Sequence, residues 1–420
     1  MRTGKTSIII LTLNQFHHTI LCLESIRKYT PEPYELIVVD NGSTDLTEMY
    51  LRQQPDVTLI CNAYNKGFAA GCNQGLAIAT GDNILFLNND TVVTPNWLAH
   101  LLDTLYASPD IGMTGPLTNY SSGHQIIPVP YKDLLDLNAF AHEHQIRNAG
   151  KMTEVRRLIG FCLLVKRTVL DEIGGFDELY DIGNFEDDDL CLRAAKVGYR
   201  LYIANACFIH HVGHATMNDI QTVEQKNNVQ YLMGINRKKA KEKWGEDIFD
   251  LIYKEDVKLS CCVIAKTETS LIRTLDSIKE IADEIIVVDR IGTFGATAAE
   301  FGAKYVAGHP SKNNIMQWKR AVEETESQYV LLLDEDEYFS DEMRRKIRVL
   351  KRSIANDTVG VAMICDHVDR AQNQAQIRLI QRSIPLLDDV RNLAAYDENV
   401  LISSIEIYGE QSVQEKDAIY

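Results

Sequence analysis

Two hydrophobic rhythms alternate along the first ninety residues. Continuous apolar runs, "SIIILTL" (7–13), "YELIVVD" (34–40), "VTLICN" (57–62) and "NILFLNND" (83–90), read as buried strands. Between them, "TILCLESIRKY" (19–29) has helical spacing, and "GFAAGCNQGLAIA" (67–79) is a helix of small residues. Apolar strands separated by helices predict an α/β fold, a mostly parallel sheet covered on both faces. In such sheets ligands sit beyond the carboxyl ends of the strands. That rule singles out residues 12–14, 40–43, 62–68 and 88–91.

The pattern then repeats. "YELIVVDNGST" (34–44) returns as "DEIIVVDRIGT" (283–293), "NILFLNNDTVVT" (83–94) as "YVLLLDEDEYFS" (329–340), and "KTSIIILTLN" (5–14) as "KLSCCVIAKT" (258–267). Three elements in the same order, offset by about 250 residues, predict two tandem related α/β domains. The charged, helical-patterned stretch between them includes "NRKKAKEKWGEDIFDLIYKED". The expected organisation is a catalytic domain over 1–216, a helical extension or linker over 217–256, and a second domain over 257–420.

Composition narrows the function. A hydrophobic content of 45% supports real cores, and a net charge of −16 argues against a nucleic-acid binder, which needs a basic surface. Nine cysteines form no CxxC pair, and adjacent Cys261 and Cys262 cannot close a loop with each other; reduced thiols and a cytoplasmic location are expected. No signal-peptide pattern opens the chain and no apolar run approaches membrane-spanning length, so a soluble protein is expected, with peripheral work at the inner membrane face left open.

The candidate chemistry lies at the strand ends. Asp40 precedes "NGST", where a carboxylate either caps the turn or accepts hydrogen bonds from a base or ribose. Asp90 follows a strand in "LFLNNDT", where one expected acid is the amide Asn88. Gly67, Gly71 and Gly75 recur every four residues and let a helix approach its neighbour, with Asn65 and Asn73 beside that contact. The run Glu186, Asp187, Asp188, Asp189 opens an amphipathic helix, and four acids exceed what dipole capping needs. The second is suited to act as a general base. "ACFIHHVGHAT" (206–216) supplies His210, His211 and His214, whereas His17, His18, His142 and His144 lie on polar helical stretches and are assigned no role.

Residues 5–250 resemble an inverting family 2 glycosyltransferase of the GT-A fold, close to the bacterial rhamnosyltransferase-like group. The resemblance rests on "SIIILTLNQ", "IVVDNGSTD", "NKGFAAGCNQG", "LFLNNDT", "GFCLLVKRTVLDEIGGFDE", "FEDDDLCLRAAKVGYR" and "HHVGHAT". It implies transfer from a nucleotide-diphosphate sugar (UDP-, dTDP- or GDP-linked) to a hydroxyl of a glycan, lipid-linked saccharide or protein glycan. It places Thr12, Asn14, Asp40, Asn41, Asn65, Gly67, Phe68, Asn73, Asn88 and Asn89 on the donor. Asp90, with His211 and its rival in register His210, would hold Mg2+ or Mn2+, and Asp187, with Glu186 before it, would be the base. The second domain resembles the same family in degenerate form: Asp334, Glu335 and Asp336 are candidate metal ligands, but no acid pair or histidine motif follows them. A structural or acceptor-binding remnant is the expected role. The segment 120–157 is expected to shape the acceptor side. The alternatives are a non-catalytic nucleotide-sugar-binding scaffold and a nucleotidyltransferase; "TLNQF" lacks the glycine-rich phosphate loop of the latter and of dinucleotide enzymes.

Overall fold

The computed structural model describes residues 4–213, 223–309, 313–334, 336–355, 357–366, 374–384 and 399–409. The chain forms two compact units, Met1–Lys254 and Glu255–Tyr420.

In the first unit the elements are β1 (Thr6–Thr12), α1 (Phe16–Tyr29), β2 (Tyr34–Asp40), α2 (Thr47–Leu51), β3 (Val57–Cys61), α3 (Phe68–Ile78), β4 (Asn83–Asn88), β5 (Thr91–Val93), α4 (Trp97–Leu105), β6 (Ile111–Thr118), α5 (Leu137–Asn148), β7 (Met152–Val155), β8 (Cys162–Lys166), α6 (Arg167–Ile173), α7 (Glu186–Lys196) and β9 (Arg200–His211). Two further helices, α8 (Val223–Trp244) and α9 (Ile248–Tyr253), complete it. The sheet runs β3-β2-β1-β4-β8-β6-β9-β5, with β7 on β9. Strands β1 to β4 are mutually parallel, and β8 turns the sheet antiparallel beside β4.

Alternation along each strand feeds two cores. Ile8, Ile10, Val38 and Leu85 meet Cys22, Leu23 and Ile26 of α1 and Trp97 of α4 on one face; Ile9, Ile37 and Phe86 meet Ala69 and Cys72 of α3 and Leu190 of α7 on the other. Each fully buried Ile or Leu is worth about 1.5–3 kcal/mol. Such burial holds α1 in place although its first turn has no side-chain cap. The glycines of α3 act as read from the sequence: a Cβ at Gly71 would run into the Leu11 side chain, and one at Gly75 into Ile9.

The stretch expected as an extension folds back onto the first unit, apart from residues 217–222 and His214, which lie outside the described residues. Ala240, Ile248 and Ile252 are buried against Tyr180, Phe185 and Leu192.

The second unit comprises β10 (Leu259–Ala265), α10 (Glu268–Ile278), β11 (Glu284–Asp289), α11 (Gly295–Glu300), β12 (Lys304–Ala307), α12 (Asn314–Val322), β13 (Tyr329–Leu333), α13 (Asp341–Ser353), β14 (Gly360–Asp366), β15 (Gln374–Gln381) and β16 (Val400–Tyr408). Its sheet order, β12-β11-β10-β13-β15-β14, follows the β3-β2-β1-β4-β8-β6 order of the first, with the antiparallel switch at the same place. Cys261 and Cys262 are adjacent on β10 and join different cores, and all nine cysteines are free thiols. Among the described residues no helix is long and apolar enough to cross a membrane.

Candidate active site

The carboxyl ends of β1, β2 and β4 lie side by side, with Thr12 registered against Asp40 and Leu11 against Asn88. Asp40 is fully buried; its Oδ1 accepts from the Ser43 amide (3.2 Å) and hydroxyl, while its Oδ2 has no partner among the described residues. Burial pushes its pKa up, and the bonds from Ser43 only partly offset that. A desolvated carboxylate with one open oxygen is the acceptor that a ring N–H or ribose hydroxyl requires.

Most of the polar residues around it are occupied. Asn14, at φ +56°, takes its amide to Ser43 Oγ (2.7 Å) and accepts from the Thr44 amide (2.8 Å), tying β1 to the turn after β2. Asn41 donates to Asn65 Oδ1 (2.8 Å) and the Gly67 carbonyl (3.1 Å) and accepts from Asn62 (3.0 Å) and the Lys66 amide (3.0 Å). Asn65 also accepts from the Gly67 amide (2.8 Å). Gly67 sits at φ +89°, where a Cβ would strike the Asp181 carbonyl. Phe68 donates its amide to the Ile182 carbonyl (3.0 Å) and packs on Phe176. Thus Asn41 and Asn65 shape the loop with bonds to one another rather than offering their bonded atoms to a ligand. Asn73 is likewise used elsewhere, bridging the Phe176 backbone (2.8 and 3.0 Å) and Glu178 (2.9 Å). Asn89 donates to the hydroxyls of Thr12 and Thr19 (both 3.0 Å), so Asn89 and Thr12 brace the strand ends. Asn88 anchors through its backbone, its amide donating to the Phe161 carbonyl (2.8 Å).

Asp90 and His211 come together. His211 Nε2 lies 3.2 Å from Asp90 Oδ1 in a largely buried pair, and His211 is registered against Thr91 on β5. The ring stacks on Phe161 (5.0 Å, 12°), and its Nδ1 is 2.9 Å from the Tyr120 carbonyl. A carbonyl only accepts, so Nδ1 carries a hydrogen; Nε2 then donates to the carboxylate in the protonated ring and offers a lone pair in the neutral one. Burial pushes the Asp90 carboxyl up, but His211, with a smaller contribution from His18, brings it below its ordinary value. His18, assigned no role from sequence, therefore stands near this pair, whereas His144 bonds the Asn205 carbonyl (2.8 Å). His210 faces the other way: its Nδ1 bonds Tyr131 (2.7 Å), and burial lowers its pKa to about 4. Side-chain alternation along β9 thus separates the two histidines that the sequence left as rivals.

The four acids open α7 and take four different environments. The helix follows Asn184 and Phe185 at φ +79° and +78°, a left-handed conformation that Asn tolerates and the bulky Phe disfavours. Asn236 of α8 holds that loop, donating to the carbonyls of Tyr180 (2.7 Å) and Gly183 (2.9 Å). Asp189 is wholly buried and receives Tyr180, Arg193, Lys243 and Trp244. Asp188 pairs with the Arg157 guanidinium through both oxygens. Asp187 accepts from the amides of Gly160 (2.9 Å) and Asp188 (2.9 Å). Glu186 Oε2 is buried with no partner among the described residues. Glu186, Asp187 and Asp188 line a cavity of about 410 Å³ with Arg157, Arg237 and Phe249. Consecutive residues connect the acids to the histidine: Gly160 holds Asp187, and Phe161 stacks on His211. The sequence singles out none of Gly160, Phe161, Tyr120 and Arg157: "GFCLLVK" stands only as a motif, and Tyr120 and Arg157 are the ends of the 120–157 segment expected to shape the acceptor side.

In the second unit the corresponding ends are closed. Asp289 accepts from four backbone amides, residues 291–294, at 2.6–3.0 Å. Of the proposed metal ligands, Glu335 lies outside the described residues, and Asp334 accepts from Asn314 (2.8 Å) with Arg378 3.8 Å away. Arg378 is itself buried and paired with Glu337 (2.5 Å). An internal guanidinium beside Asp334 disfavours a second cation at that side chain. Among the described residues of either unit, no three His, Cys, Asp or Glu side chains converge as a metal cage.

Residues 7–174 match the family model described as glycosyl transferase family 2. Over 246 residues the chain is 27% identical to an N-acetylglucosaminyl-diphospho-decaprenol L-rhamnosyltransferase of Mycobacterium tuberculosis, covering 52% of this chain and 79% of that protein. It is 28% identical over 208 residues to a glucosyl-dolichyl phosphate glucuronosyltransferase of Haloferax volcanii, covering 47% of this chain and 63% of that protein. A mannosyltransferase of Pyrobaculum calidifontis solved with GDP-Man and Mn2+ is similar at a TM-score of 0.36 and 22% identity, over 49% of this chain and 56% of that one. These likenesses make the protein a glycosyltransferase, its match to the family 2 model lying in residues 7–174.

Proposed function

We propose that the first unit is a GT-A domain that moves a sugar from a nucleotide-diphosphate donor to a saccharide hydroxyl by direct displacement, inverting the anomeric carbon. The observation that carries this reading is Asp187: a carboxylate oriented by two backbone amides at the wall of a cavity, joined through Gly160 and Phe161 to the Asp90–His211 pair. Asp40 would accept from the nucleotide, on the loop framework built by Asn14, Asn41, Asn65 and Gly67. Asp187 would take the acceptor proton as its oxygen attacks the face opposite the diphosphate. The facing carboxylate and imidazole nitrogen of Asp90 and His211 fit one divalent cation with oxygen sites left for a ligand, and His210 does not share in them. Mg2+ or Mn2+ there would neutralise the leaving diphosphate as a Lewis acid.

The names of the two relatives favour a polyprenyl-linked saccharide acceptor, and such an acceptor would bring the work to a membrane surface. The shared sheet order and sequence repeat support a duplication. The closed Asp289 turn and the Arg378–Glu337 pair support a second unit without its own transfer chemistry.

The test is Asp187→Asn in a transfer assay with UDP-, dTDP- and GDP-sugars. Turnover is expected to fall by at least about 10²–10³-fold while donor binding persists. Undiminished turnover sinks the assignment of the base. In parallel, Asp90→Ala should weaken Mn2+-dependent donor binding in calorimetry and leave metal-free binding unchanged.

A further inference from the structure

The acid run contains one residue more than general-base catalysis uses, and that residue carries an unsatisfied side-chain oxygen. Glu186 is 7% exposed, lines the same cavity as Asp187, and its Oε2 is buried with no partner among the described residues. Its neighbours are all provided for: Asp187 by the Gly160 and Asp188 amides, Asp188 by Arg157, and Asp189 by Arg193, Lys243, Tyr180 and Trp244. A buried polar oxygen without a partner is costly, and a buried anion without one costs more.

Three carboxylates within one helical turn cannot share a single guanidinium and all remain charged. The first-turn position would favour an anion through the helix dipole. Burial opposes this by as much as several pKa units, and the Asp187 charge adds to it. The balance pushes Glu186 up to about 8, burial acting first and Asp187 second, although backbone hydrogen bonds at Glu186 and Asn184 pull part of the way back. Asp188 is raised as well by burial and then by Asp187. The proton nevertheless belongs on Glu186, because Asp188 has the bidentate Arg157 contact and Glu186 has no cation. The charged and titratable groups around Glu186 are Asp187 and Asp188 on its own helix, Cys72 from α3, and Arg157 and Arg237 across the cavity.

We infer that Glu186 is held as a neutral carboxylic acid and donates a hydrogen bond to an oxygen of the saccharide acceptor, selecting and orienting it beside Asp187. This rests on the reading of Asp187 as the base and gives the pair divided roles: one carboxylate accepts the acceptor proton, while the neighbouring acid fixes the sugar that carries it. The chemical class of ligand is an acceptor presenting an oxygen lone pair within reach of the reacting hydroxyl. A nearby acid kept neutral also spares Asp187 one more adjacent anion.

The test compares Glu186→Ala and Glu186→Gln in the full chain. The alanine variant should raise acceptor KM about tenfold or more with little change in donor affinity. The glutamine variant, which still donates, should restore acceptor KM to within about threefold of the parent. The parent's acceptor kcat/KM should fall above about pH 8, and that fall should be absent with glutamine. A second readout needs no turnover. Because the folded-state pKa is raised, ionisation penalises the fold increasingly from about pH 4.5 to 8, so the thermal midpoint of Glu186→Gln should gain on the parent across that range. Glutamine no better than alanine in acceptor KM, or a midpoint difference that stays flat from pH 5 to 9, overturns the inference. Failure of the base assignment shows separately, as an active Asp187→Asn enzyme.

Discussion

Asp189 offers the sharpest test of how the helical extension serves the site. Its Oδ1 receives Lys243 Nζ (2.6 Å) and Trp244 Nε1 (2.9 Å) from α8 and the Tyr180 hydroxyl (3.1 Å); its Oδ2 receives Arg193 Nε (2.7 Å). The carboxylate side chain is 0% exposed, against 17% for Arg193 and 24% for Lys243. Removing one partner of a buried pair costs about 3–5 kcal/mol. Each neutral hydrogen bond adds about 0.5–1.5 kcal/mol. Part of the cost is recovered here, because Lys243 keeps Asp177 (2.6 Å) and Arg193 keeps the carbonyls of Ile173 and Gly175 (both 2.7 Å). Asp189→Ala should therefore destabilise the first unit by about 3–4 kcal/mol, and Asp189→Asn, which keeps the shape and one acceptor, by about 2 kcal/mol. Urea unfolding followed by tryptophan fluorescence reads this directly, since Trp244 is one of the partners. Arg237 and Phe249, which line the cavity from α8 and α9, should loosen with it, so acceptor KM should rise before donor affinity changes. A loss below about 1 kcal/mol for Asp189→Ala would refute the claim that this carboxylate fastens the extension.

Two further outcomes follow from paired charge. Glu35 accepts from Ser7 (2.6 Å), Thr80 (2.7 Å) and Lys5 (2.9 Å), and although burial alone would raise it, these bonds lower its pKa to about 2. A depressed carboxylate pKa stabilises the fold above the unfolded value and loses that contribution as pH falls towards 2. Glu35→Gln should thus cost about 1–2 kcal/mol at pH 7 and close to nothing near pH 2, measured by urea titrations at both. In the second unit, Arg378→Met should cost about 3–5 kcal/mol by stranding Glu337, and adding Glu337→Leu should recover much of it; additive losses in the double-mutant cycle would contradict a coupled pair.

The placement of the strands was legible because a strand covered on both faces must be apolar at every position, and "SIIILTL" and "YELIVVD" meet that condition without help from distant residues. The close approach of α3 was legible for the same kind of reason: glycines at every fourth position have few other uses. Asp187 and Asp90 could be nominated because acids at the end of a strand or the start of a helix have few structural duties that explain them all. The roles of the amides were not legible. Asn41, Asn65 and Asn73 sit in the right loops, but whether an amide faces a ligand or its neighbour depends on which other chain segment arrives beside it.

What the sequence determined by itself was therefore local and repetitive: the alternating elements, their recurrence in a second unit, and the set of polar residues at the strand ends. Periodicity and turn chemistry are properties of adjacent residues, so they survive in one dimension. Only the tertiary structure decided among candidates of equal type. It set His211, and not His210, against Asp90 by the side of β9 each faces, and it separated four consecutive acids into a pinned one, a paired one, an amide-held one and one with an oxygen left unpartnered. It also showed that the Asp334 end of the second unit already contains an arginine. Each decision turns on desolvation and on partners brought from 20 to more than 100 residues away in the chain, such as Gly160 for Asp187 and Tyr120 for His211. Burial and long-range pairing set the charge and reach of a side chain, and neither is written in its immediate neighbours.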